Sequence, residues 1–217
     1  MPRDKRYSEP TPRIESLSDM IFGLALSIGA FVLVNKLPGN LTDMVSDVVL
    51  FGFSFLILIS VWIRYTAMMS VLPMENRTTR LLNIIMLFLV SMEPYAFNLV
   101  SLIGQPESIG LEDYSSVLYS IDMGGLMLIL AFFSHELSIE EKEIVSPQHA
   151  SRYRNVRNVL FASAAIYFIA ILPQFWTMTL VGLPLRFYFW IIALIVSLLR
   201  RAYQVPGEVA LKRKKRK

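Results

Sequence analysis

Residues 13–35 read RIESLSDMIFGLALSIGAFVLVN, and Lys36 follows. Arg13, Glu15 and Asp19 crowd the start of this segment, after which 16 residues pass without a charge. The apolar run is close to the ~20 residues that an α-helix needs to cross a hydrocarbon core. A carboxylate at the mouth of such a helix is costly unless the folded protein satisfies it, which makes Asp19 a functional-site candidate.

Working outward, the same character repeats along the chain. Hydrophobic residues make up 54% of the 217 positions and charged residues 18%, below the ~25% charged share of a soluble domain. The apolar residues gather into six runs, at 16–35, 48–69, 79–103, 116–135, 156–172 and 184–203. The expectation is an all-α integral membrane protein with six transmembrane helices. A segment at 1–15 precedes the helical domain at 16–203, and a basic tail at 204–217 follows it.

With six spans both termini lie on one side, and Lys and Arg say which. Of the 21 basic residues, 19 fall on the side of the termini and only Lys36 and Arg186 fall opposite. Both termini are therefore expected to be cytoplasmic. The opposite loops carry Asp43, Asp47, Glu107, Glu112 and Asp113, which leaves the outer surface acidic. The first run is no cleavable signal peptide, because acids flank it upstream and no A-x-A pattern follows. Lys212-Arg213-Lys214-Lys215-Arg216-Lys217 reads as a topology anchor that attracts anionic lipid, in preference to a nucleic-acid patch.

Enzyme chemistry finds little support. The chain has no cysteine, so neither a disulfide nor a thiolate metal site can form. His135-Glu136 does not continue into H-E-x-x-H, and His149 stands alone in a loop. No catalytic residues, metal site or cofactor are expected.

The first span differs from the others. At 100° per residue, Leu17, Met20, Leu24, Ser27, Ile28, Phe31 and Asn35 fall on one stripe. Gly23, Ala25, Gly29 and Ala30 fall largely elsewhere, giving small surfaces for close helix approach. Asp19 lies about 140° from Leu24 at that periodicity, so the acid is expected to point into packed protein. A mixed stripe with small residues behind it suits a pore-lining helix. Ordinary helix packing produces the same wheel and is the commoner cause of it.

Arg13 to Asp19, read as R-x-x-x-L-S-D, resembles the R-x-x-x-F-S-D motif of the transmembrane protein 175 family of potassium-permeable channels. Trp62 near the inner end of the second span agrees with that resemblance. So does the stretch from Leu82-Asn83-Ile84 to Glu93-Pro94, which is similar to the family's third span. The likeness covers about the first hundred residues, and the remainder agrees in span count and topology. A single six-helix repeat resembles the prokaryotic form, implying a homotetramer in a prokaryotic plasma membrane that passes K⁺ and other monovalent cations. Leu17 replaces the motif Phe, and Arg64-Tyr65 follow Trp62 where the family commonly has His, so a network using that His must be built otherwise.

The resemblance also implies roles. Four copies of the first helix line the pore, with Leu24, Ile28 and Phe31 as its apolar constriction and Ser27 as the selectivity hydroxyl. Arg13, Leu17, Ser18, Asp19, Trp62 and Asn83 form a supporting network. Arg13 and Asp19 stand about 120° apart on a helix, so each needs partners from other helices, with Trp62, Asn83 and Arg64 as candidates. No T-V-G-Y-G segment is present, which excludes a carbonyl filter of that type. The rival reading is a proton-coupled secondary transporter using Glu93 and Asp122; a non-transporting scaffold is a third. Glu93 itself is expected near the outer end of its span, paired with Arg186 or reached by water.

Overall fold

The computed structural model describes residues 12–35, 39–73, 76–100, 111–139, 144–181 and 183–199. The segment before residue 12, Lys36, Glu107 and the basic tail lie outside the described residues, as do the side chains of Arg13, Asp43 and Glu112. Among the described residues, six long helices carry the fold: α1 (Pro12–Asn35), α2 (Leu41–Met69), α3 (Arg77–Val100), α4 (Leu111–Ser138), α5 (Pro147–Ile169) and α7 (Leu185–Leu199). Between α5 and α7 lie a single turn, α6 (Gln174–Thr177), and two short strands, β1 (Thr179–Leu180) and β2 (Leu183–Pro184). By length and composition, the stretches Asp47–Met69, Arg77–Val100 and Asp113–Ser138 can cross a membrane, while Ser16–Phe31 and Leu185–Leu198 are shorter apolar helices.

The fifth helix departs most from its apolar run. It starts at Pro147, well before residue 156, with Pro in the first turn, where its missing N–H costs nothing. Ser146 sits at the cap in extended conformation, yet its hydroxyl lies 2.5 Å from His149 Nδ1 and caps no backbone N–H. Arg152, Arg154 and Arg157 occupy these early turns, so apolar periodicity could not reveal them. At the other end the helix stops at Ile169, short of residue 172, and Pro173 enters α6.

Helix α4 stands at the centre, packed against α2, α3 and α5, while α7 packs on α5 and α1 lies on α2 and α3. The sequence supplies α4 with a seam at alternating steps of four and three: Tyr119, Met123, Leu126, Leu130, Phe133 and Leu137, all buried. Such spacing keeps one face turned to its neighbours along the whole helix. Gly124 and Gly125 bring those neighbours close, since an added Cβ would stand 2.9 Å from the Phe168 ring and 2.9 Å from Leu89 Cδ1. Where lipid is the alternative environment, such packing and interhelical hydrogen bonds hold helices together. Trp190 Nε1 donates to Ser120 Oγ at 2.9 Å, joining α7 to α4. Arg186, 2% exposed, pairs with Asp113 at 2.8 Å. Glu93 is fully buried and accepts from Ser54 instead, so the expected Glu93–Arg186 pair does not form.

The β-hairpin was not anticipated from the six-run pattern. Thr179 pairs with Pro184 and Leu180 with Leu183 in antiparallel register. Val181 in the turn between them has φ of 51° and is 89% exposed. A β-branched side chain in the left-handed region is strained, and nothing packs on it in compensation. Val181→Asn, which tolerates that conformation, should raise stability by about 1 kcal/mol, read as an increase in the melting temperature of the purified protein.

Candidate functional site

Two faces of α1 divide its work. Ser18, Phe22 and Ala25, at steps of four and three, are buried against α2 and α3. Leu17, Met20, Leu24, Ile28 and Phe31 are exposed on the single chain, with Met20 at 69%, Leu24 at 60% and Phe31 at 62%. Ser27 lies exposed among them. Of the small residues expected to admit close neighbours, Ala25 is buried and a Cβ added at Gly29 would meet the Phe51 ring at 3.6 Å, but one added at Gly23 would meet open space.

The polar residues of the motif are held from α2 and α3. Trp62 Nε1 donates to Asp19 Oδ1 at 3.0 Å. Asp19 is nevertheless exposed, so the expectation that it points into packed protein is corrected. Ser18, its neighbour, is the residue that enters the packing. Tyr65 lies one helical step of three beyond Trp62, on the same side of α2. Its Oη stands 2.7 Å from Ser18 Oγ and 2.5 Å from Asn83 Oδ1. The amide oxygen can only accept, so the phenol donates to Asn83 and takes a hydrogen bond from Ser18.

The Tyr65 ring continues the linkage. Its centroid is 5.4 Å from that of Phe22 on α1 and 6.4 Å from that of Phe133 on α4. One side chain of α2 thus touches α1, α3 and α4. The sequence reading named Ser18, Asp19, Trp62 and Asn83 but gave Tyr65 no role. A phenol within an apolar span, three residues from a Trp, was the available signal, because a buried Tyr hydroxyl usually finds a partner.

Other candidates go elsewhere. Arg64, offered as a partner for the motif, donates through Nη2 to the Ser197 carbonyl of α7. His135 Nδ1 receives Arg157 Nη1 at 3.2 Å, linking α4 to α5; a guanidinium only donates, so that nitrogen is the unprotonated one. Ser27 Oγ donates to the Gly23 carbonyl of its own helix at 2.8 Å.

Removing the Tyr65 hydroxyl leaves two buried groups, Ser18 and Asn83, without their shared partner. Tyr65→Phe should cost about 1–3 kcal/mol, visible as a lower melting temperature. Asn83→Ala combined with Tyr65→Phe should cost less than the sum of the two single changes, since both break one bond.

With this geometry in view, comparison with known proteins is direct. The family model described as "Endosomal/lysosomal potassium channel TMEM175" matches residues 13–94, which run from the motif arginine to Pro94 of α3. Among curated proteins, no sequence matches the chain. Among solved structures, the chain is similar to the crystal structure of a lysosomal potassium-selective channel TMEM175 homolog from Chamaesiphon minutus. The TM-score is 0.58 at 17% identity, over 88% of this chain and 97% of that one. The family match falls on the helices that build the Ser18–Tyr65–Asn83 and Asp19–Trp62 contacts, and the fold shared with the solved channel structure extends through the later helices.

Proposed function

We propose that the chain is the subunit of a potassium-permeable cation channel. Four copies surround an axis lined by α1, in the cell membrane of a prokaryote, with both termini cytoplasmic and the basic tail against anionic lipid. The observation that carries this reading is the exposed stripe of α1. Leu24, Ile28 and Phe31 stand away from the subunit core on a helix whose opposite side is held by polar contacts from α2. The family match over that helix, and the similarity to the potassium-selective channel homolog from Chamaesiphon minutus, support it.

The mechanism follows from what that stripe offers an ion. Four Leu24 side chains meeting on an axis offer no oxygen, so a cation there loses water contacts and gains none. Such a ring closes by dewetting and conducts when widened. Ser27 gives the stripe its oxygen. Its hydroxyl proton is engaged by the Gly23 carbonyl, which leaves the Oγ lone pairs outward for a partly dehydrated cation. Arg13, Leu17, Ser18, Asp19, Trp62 and Asn83 set the position of α1 and do not contact the ion.

Leu24→Asn should raise single-channel conductance with weaker discrimination among cations, and Leu24→Trp should reduce current. Recordings on tetramers checked by size decide the matter. A Leu24→Asn conductance no greater than that of the parent removes Leu24 from the gate.

Ser27→Ala should lower the K⁺ to Na⁺ permeability ratio while leaving the protein folded. Reversal potentials under bi-ionic conditions measure this ratio, and an unchanged value discards Ser27 as a selectivity group.

A further inference from the structure

Away from α1, the subunit interior holds four oxygen-bearing side chains that the channel reading does not use. Glu93 of α3 and Asp122 of α4 are buried, with Tyr119 of α4 and Tyr167 of α5 beside them. Glu93 acts electrostatically on Asp122, and both acids, with Tyr167, act on Tyr119. Ser54 of α2 donates to Glu93 Oε1 at 2.7 Å. Among the described residues, Glu93 Oε2, both carboxyl oxygens of Asp122 and the hydroxyls of Tyr119 and Tyr167 have no hydrogen-bond partner. No basic side chain among the described residues acts on either carboxyl group. Arg186, the buried cation of α7, is directed at Asp113.

The chemistry of this set is one-sided. Two carboxylates buried without a cation repel, and neither can donate a hydrogen bond to the other. Ionisable groups in such positions within membrane helices pair with one another or carry protons. A proton placed on Glu93 Oε2 or on Asp122 removes a charge and turns one acceptor into a donor. The remaining carboxyl group, or a phenol oxygen, can then accept. No third acidic or histidine side chain joins the pair among the described residues, so the set lacks the ligands of a divalent metal site.

We propose that Glu93 and Asp122, with Tyr119 and Tyr167, form a proton-binding site in the subunit interior, separate from the exposed face of α1. The groups facing it are Ser54 from α2, Glu93 from α3, Tyr119 and Asp122 from α4, and Tyr167 from α5. The site therefore sits where α2, α3, α4 and α5 meet. It does not depend on the channel reading, since it concerns the interior of one subunit.

Infrared spectroscopy of the full chain at neutral pH, in a detergent without carbonyl groups, tests it. The wild type should give the carbonyl stretch of an un-ionised carboxyl group, shifted on exchange into D₂O. Glu93→Gln and Asp122→Asn should each weaken that band, and the double variant should lose it. A wild type without the band, or a double variant that keeps it, overturns the proposal, and the wild-type spectrum suffices if a variant fails to fold. A melting temperature raised by Na⁺ or K⁺ in the wild type but not in the double variant, with no such band, also overturns it, because a metal cation then occupies the site.

Discussion

Most of what positions α1 depends on the side chain of Tyr65. In lipid, an apolar helix gains little by leaving its surroundings for another apolar helix, so docking rests on close packing and on polar contacts. Tyr65 supplies both from one residue. Its ring lies between Phe22 and Phe133, and its hydroxyl stands between Ser18 and Asn83. Trp62, one step of three earlier, adds the bond to Asp19. The inner face of α1 is therefore fixed over its first turns, where the motif lies, and the outer face is left to whatever surrounds the subunit.

This division explains why the motif is polar and the stripe apolar. Ser18 and Asp19 need donors or acceptors at fixed places, and α2 and α3 provide them. Leu24, Ile28 and Phe31 need only to present bulk at a repeat of three to four residues. Because Trp62 and Tyr65 share one face of α2, a displacement of α1 relative to α2 strains two bonds together. In the proposed channel, the widening of an apolar ring is therefore a movement of α1 together with α2, or one that passes through the upper half of α1 beyond Ala25.

The parts of the fold that sequence made legible are those governed by apolar length. Helices α2, α3 and α4 carry membrane-length apolar stretches and were found. Helix α5 was found with the wrong ends, because Arg152, Arg154 and Arg157 hide its start and Pro173 stands beyond its last turn. The hairpin at Thr179–Pro184 was missed, since two-residue strands leave no periodicity to read. In the site, Trp62 was one of three candidate partners for Arg13 and Asp19 and is found on Asp19, while Glu93, expected to pair with Arg186 or to meet water, is buried away from both. Two opposite charges in apolar spans suggested each other, but pairing depends on depth and rotation, which only the packing fixes. The role of Tyr65 was hidden for the same reason: a phenol is read as apolar until its hydroxyl is placed.

Two polar systems lie in the same subunit, and they are satisfied in different ways. Among the described residues, the bonds that tie the motif of α1 to α2 and α3 join a neutral donor to an acceptor: indole to carboxylate, phenol to amide, hydroxyl to phenol. Asp19, the acid among them, is exposed to its surroundings. Around Glu93 and Asp122 the described groups are rich in acceptors, with the hydroxyl of Ser54 as the donor that is engaged. An interior network that is only partly satisfied costs more than an apolar core of the same volume. Pro94 adds to the imbalance, because it lacks the N–H that the Val90 carbonyl would otherwise receive inside α3. The span that carries Asn83 to the motif thus also carries, about three turns further on, the least satisfied backbone and side-chain oxygens of the helix. Glu93 therefore sits on the same helix whose Asn83 helps to hold α1, while its partner acid Asp122 comes from α4.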